Sequence, residues 1–139
     1  MRLLIVTATV LLLCTSSRTH ASEFVRADIY FMPWLVESFV AMPPELLREA
    51  ARHGQAGCHV FHVISAARIA EILSALDVSA LRPERADYRE DTRLVIEFFD
   101  RAGNQTSYRA NSTFLCNLKN TIRRRVDARF RRYFETFSP

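Results

Sequence analysis

The stretch CHVFHVIS at 58–65, running into AARIAEILSAL at 66–76, carries one cysteine and two histidines within five residues. It admits two readings: a metal or catalytic cluster, or a buried strand that feeds a helix. In an extended strand Cys58, Val60 and His62 share one face, and His59 and Phe61 share the other. His59 and His62 then point apart and cannot grip one ion without a bulge. Cys58 and His62 together supply two ligands, whereas a zinc site takes three or four from the protein. The strand reading is the consistent one. Ser65 is a good N-cap, and Ile69, Ile72, Leu73 and Leu76 form one apolar stripe behind it. No metal site and no cofactor is expected.

Upstream, Phe24 to Met32 alternates. Val25, Ala27, Ile29 and Phe31 fall on one side, and Arg26, Asp28, Tyr30 and Met32 on the other, as in a half-buried strand. Pro33 and Trp34 interrupt it, and Leu35 to Met42 allows a second, bent strand segment. Pro44 suits the first turn of a helix whose apolar face is Leu46, Leu47, Ala50 and Ala51, and Gly54 is its left-handed cap. Downstream, Val78 to Asp91 is charged and proline-bearing and reads as a surface loop. RLVIEFF at 93–99 is the strongest strand. Asp100 to Asn104 is a hairpin turn with Gly103 free to take positive φ, and Thr106 to Ala110 returns as an edge-like strand. Ile122, Val126, Phe130, Phe134 and Phe137 recur at helical spacing and predict a basic helix from about Asn120 to Phe137. The predicted order is β(β)-α-β-α-β-β-α. This is a small single α+β domain, a mainly antiparallel sheet with about three helices packed on it.

The first residues have a different character. Arg2 precedes an eleven-residue apolar run, LLIVTATVLLL at 3–13, and then the polar CTSSRTHA. That layout predicts a signal peptide over 1–21 with cleavage after Ala21, and so an exported protein, periplasmic or extracellular. Bulky Leu13 before Cys14 argues against an acylated lipoprotein cysteine. Arg2 and Arg18 leave with the leader, so Lys+Arg falls from 19 to 17 against 15 Asp+Glu. The mature charge is then about +2. Seven of those basic residues lie beyond Cys116, so the expected molecule is a slightly acidic body with a basic end. Two cysteines remain, Cys58 and Cys116, and an even count in an oxidising compartment predicts one disulfide.

Recognisable catalytic chemistry is scarce. There is no G-x-S-x-G elbow, and three glycines in the whole chain form no phosphate loop. Cys116 sits among Phe114, Leu115 and Leu118 and reads as core. Asp28, Glu97 and Asp100 are the only carboxylates in or beside strands, and their spacing matches no motif. The surface signals are Arg123, Arg124 and Arg131, which suit an acidic protein or anionic lipid surface, and Tyr30 with Trp34, residue types enriched at interface hot spots. Export disfavours nucleic acid. The expected function is therefore a small exported protein-binding module, of the kind used by inhibitors and toxin-immunity proteins. The alternatives are a hydrolase working through acids such as Asp28 and Glu97, a metal enzyme around His59 or His62, and an envelope protein whose basic helix lies on a membrane surface. Mass spectrometry of the exported protein should find Ser22 at the N-terminus. A secreted chain that retains residues 1–21 would contradict the leader reading.

Overall fold

The computed structural model describes residues 23–36, 41–84 and 91–138. The expected leader, Cys14, and part of the bent segment at 35–42 lie outside the described residues. Chain order is β1 (Phe24–Phe31), α1 (Pro44–Arg52), β2 (His59–Val63), α2 (Ala66–Leu76), β3 (Arg82–Pro83), β4 (Leu94–Asp100), β5 (Gln105–Ala110), β6 (Phe114–Asn117), β7 (Ile122–Arg125) and α3 (Ala128–Glu135). The strands form one sheet in the order β2-β1-β4-β5-β6-β7-β3, and all its pairings are antiparallel. The α+β expectation holds.

Alternation along β1 and β4 divides the interior into two layers. Ala27, Ile29 and Phe31 join Leu94, Ile96 and Phe98 under α2 and α3, where Ile69, Ile72, Leu76, Phe130 and Phe134 complete the main core. Tyr30, Met32 and Val95 face the other way and pack with Met42, Leu47, Ala50, Ala51 and Cys58 beneath α1. The helices therefore cover both faces of the sheet. A bulge between Phe24 and Arg26 resets the pairing with β4. It turns Val25 outward, and Phe24 takes the core side with its ring 5.0 Å from Phe98. The expected inward placement of Val25 is corrected by that one extra residue.

The C-terminal third departs most from expectation. β5 is not an edge strand, because β6 pairs with its outer side. The long basic helix from Asn120 does not form. Asn117 accepts hydrogen bonds from the Thr121 and Ile122 amides through Oδ1, and Asn120 takes a left-handed φ of 51°. The chain thus reverses into β7 and places Arg123 and Arg124 on a strand. The helix starts only where Asp127 caps it, accepting from the Phe130 amide at 2.7 Å. Apolar residues at i and i+4 satisfied the helical template across a strand–cap–helix boundary.

Cys58 and Cys116 do not form the expected disulfide; both remain buried thiols. Cys58 opens into β2, and three strands stand between β2 and β6. Four strand spacings put the two residues on the order of 15–20 Å apart, far beyond the roughly 7 Å Cα limit for a bridge. Burial pushes both thiols above the ordinary value of 9.0. The folded state therefore holds these protons more tightly than the unfolded chain. Their contribution to stability is complete below the ordinary thiol value and is lost as pH rises through the raised one. A thiol reagent at pH 8 should leave Cys58 and Cys116 of the native protein unmodified and label both after denaturation. An intact mass short of two hydrogens would overturn this arrangement.

Candidate functional site

α1, nine residues long, covers only one end of its face of the sheet. Beside it the strand registers align His62, Asp28, Glu97 and Ser107 in one row across β2, β1, β4 and β5. Asp28 and Glu97 are direct cross-strand partners, and each is only 7% exposed. Like charges placed so are destabilising unless compensated. Arg48, projecting from α1, brings Nε to 2.7 Å from Glu97 Oε1; this is an ion pair by distance whose N–H is not aligned as a hydrogen bond. His62 Nδ1 lies 2.9 Å from Asp28 Oδ1, and Arg26 Nε lies 3.5 Å from the same oxygen. The Arg26 guanidinium also sits 4.0 Å over the Phe99 ring, its cross-strand partner. The His62 side chain is 65% exposed. With Nδ1 turned to Asp28, its Nε2 remains for an outside group.

Asp28, Glu97 and His62, singled out from sequence as candidate acids and a candidate ligand, meet in this row, whereas the candidate interface residues Tyr30, Trp34, Arg123, Arg124 and Arg131 do not. Tyr30 is 3% exposed and lies in the α1 layer, its hydroxyl accepting from Arg52 at 3.4 Å. Burial raises the Tyr30 phenol above its ordinary pKa. Trp34 is half-buried on the opposite side of the sheet. Its ring packs 5.3 Å from Phe31 and 6.2 Å from Phe130, and its Nε1 donates to the Arg131 carbonyl. Trp34 thus ties α3 to the end of β1, and neither aromatic offers an exposed patch. Arg123 is 6% exposed. It donates to Glu84, which holds that carboxyl below its usual pKa, and stacks 4.1 Å over Phe114. Arg124 donates to the Leu76 and Ala75 carbonyls and so closes the C-terminal end of α2. Arg131 is exposed on α3.

Arg48 on α1 is the partner of the row that sequence reasoning did not single out, and the pairings of Arg26 and His62 with Asp28 were not read from it. Alternation put Asp28 and Glu97 on the non-core face of their strands, but only the β1–β4 register makes them neighbours. His59 and His62 point to opposite faces, as strand geometry requires; the His59 ring lies 6.3 Å from Phe61. Among the described residues no group of three or more His, Cys, Asp or Glu is placed to hold a metal. Among them, too, no helix is long and apolar enough to cross a membrane. No family model, curated protein or solved structure matches the chain.

Arg48→Ala would leave two opposed carboxylates without their helix-borne cation. Urea unfolding should show a loss of about 2–3 kcal/mol, reduced from the fully buried figure because Arg48 keeps some solvent contact. Adding Glu97→Gln should recover most of the loss. Additive losses in the double variant would show that the two side chains do not act as a pair.

Proposed function

We propose that this chain is an exported protein-binding module that docks a partner across the open part of the sheet's α1 face. The observation that carries the reading is the locked charged row. Asp28 and Glu97 are held by Arg26 and His62 from the sheet and by Arg48 from α1. Around them Arg26, His62 and Gln105 are exposed, while Ser107 and Phe99 are partly exposed. Side chains fixed in this way lose little freedom on association, which is what a preorganised contact surface requires. Alternating cations and carboxylates favour a partner of complementary charge pattern and penalise others. The polar face of the β4–β5 hairpin belongs to this surface. Inhibition or neutralisation of another exported protein is a task that suits a module of this size.

One observation favours a second reading, a carboxylate-dependent hydrolase: Asp28 and Glu97 do face each other. Both, however, are taken up by cationic side chains of the same sheet and helix, and this supports docking better than attack on a substrate. The experiment is affinity capture from the envelope fraction of the source organism, with wild-type protein beside Arg26→Glu/Gln105→Arg. We expect a single stoichiometric partner whose affinity falls at least tenfold in the variant. Absence of a stoichiometric partner would remove the module reading. A partner held equally by both proteins would move the contact off this face.

A further inference from the structure

On the other side of the sheet, α2 and α3 flank a groove of about 920 Å³, within the range of roughly 300–1,000 Å³ typical of ligand clefts. One side is the small-residue face of α2, with Ala67, Ala70 and Ser74; the other is α3, with Arg129, Arg132 and Tyr133. The charges around it are unequal in availability. Glu71 is paired with Arg68 at 2.7 Å. Asp77 accepts from the Ser79 hydroxyl, and Asp127 is the N-cap of α3. Arg124 is committed to the carbonyls that end α2. The Phe130 amide, with Arg124 and Arg129 nearby, holds the Asp127 carboxyl below its usual value, and Arg129 is exposed. Arg132 is exposed and has no ion pair among the described residues. Each of these exposed acids has a partner within the chain, and Arg129 and Arg132 face outward.

We infer that the α2–α3 groove is a second docking site, and that its occupant is an acidic segment of a protein partner with small apolar side chains on its inner face. Carboxylates of that segment pair with Arg129 and Arg132, whose planar guanidinium groups suit bidentate carboxylate binding. Its apolar side chains lie over Ala67 and Ala70, where the short side chains of α2 leave room. A lipid surface fits less well. Peripheral membrane helices present an apolar face for insertion. Here Phe130, Phe134 and Phe137 are 2%, 0% and 6% exposed, so the apolar stripe of the C-terminal segment is already consumed by the core. The outer side of α3 is left with Arg129, Arg131, Arg132 and Glu135.

The test pans a displayed library of random twelve-residue peptides against the purified protein at low salt. The enriched peptides are then synthesised with a fluorophore and titrated by anisotropy. We expect enrichment of Asp and Glu interleaved with Ala, Val or Leu. Affinity should fall at least tenfold in Arg129→Glu/Arg132→Glu, whose exposed positions leave the fold intact by circular dichroism, and should fall again as salt rises. Amide NMR shifts on binding should centre on Ala67, Ala70 and Ser74, and Arg26→Glu/Gln105→Arg should bind the peptides unchanged. The inference is overturned if no acidic consensus emerges or if the shifts centre on the sheet face. It is also overturned if vesicles containing anionic phosphatidylglycerol bind in an Arg129- and Arg132-dependent manner where the peptides do not.

Discussion

Strand β1 is hydrogen-bonded along both edges, to β2 and β4, and it lies between helices on both faces. A strand in that position needs a partner layer above and below. One layer is supplied by α2 and α3 with ordinary apolar packing. The other must come from α1, whose nine residues extend only about 14 Å. An eight-residue strand is nearly twice that length, and the face is several strands wide. Apolar cover therefore runs out partway along β1, between Tyr30 and Asp28. Beyond that point the face is finished with polar and charged groups: Arg48 reaches Glu97 from α1, while the His62 ring from β2 and Arg26 on β1 itself lie against Asp28.

Arginine plays a similar internal part elsewhere. Arg93 is 7% exposed, pairs with Asp91 and donates to the Val36 carbonyl. Arg124 ends a helix, and Arg123 pairs with Glu84 over an aromatic ring. Five donors on one planar group allow a single side chain to satisfy several main-chain carbonyls at once. The basic pI of the sequence is thus not a measure of basic surface. Part of that charge is spent on joining segments, and of what remains outward Arg129, Arg131 and Arg132 share α3.

Much of the fold was legible because its signals are local. The alternation of β1 and β4, the Ser65 cap, the Gly54 terminator and the Asp100–Asn104 turn each depend on a few neighbouring residues, and each is present. What was hidden depended on pairing across the chain. β7 consists of Ile122 and three arginines, so no apolar–polar alternation marks it, and the helical spacing of Ile122, Val126 and Phe130 ran straight through it. The turn at Asn117–Asn120 and the cap at Asp127 were the available local signals, and they went unread beneath that spacing. The disulfide inference failed for a related reason. Parity of cysteines and compartment say nothing about strand order, and strand order holds Cys58 and Cys116 apart. In the charged row, Asp28 and Glu97 were visible as residues on outward faces, but their meeting is a property of register.

The two surfaces this architecture leaves differ in kind and are separated by the sheet. The α1 side presents Arg26 and His62 over buried carboxylates that are already paired, so that a proposed partner there must match a pattern. The α2–α3 side offers outward cations beside a concave floor, so that a partner there needs anionic groups and an apolar edge. Their separation follows from the economy of the C-terminal segment. Trp34 and the three phenylalanines bind α3 to the main core, which turns the arginines outward on one side of the molecule only. Coupling between the surfaces would pass through the central strands: on β1 Asp28 and Tyr30 face one layer and Ala27, Ile29 and Phe31 the other, and on β4 Val95 and Glu97 oppose Leu94, Ile96 and Phe98. Because interiors of this density resist deformation, a partner on one face has little means of disturbing the other. If both proposed docking sites are real, this geometry favours their simultaneous and independent occupation over competition.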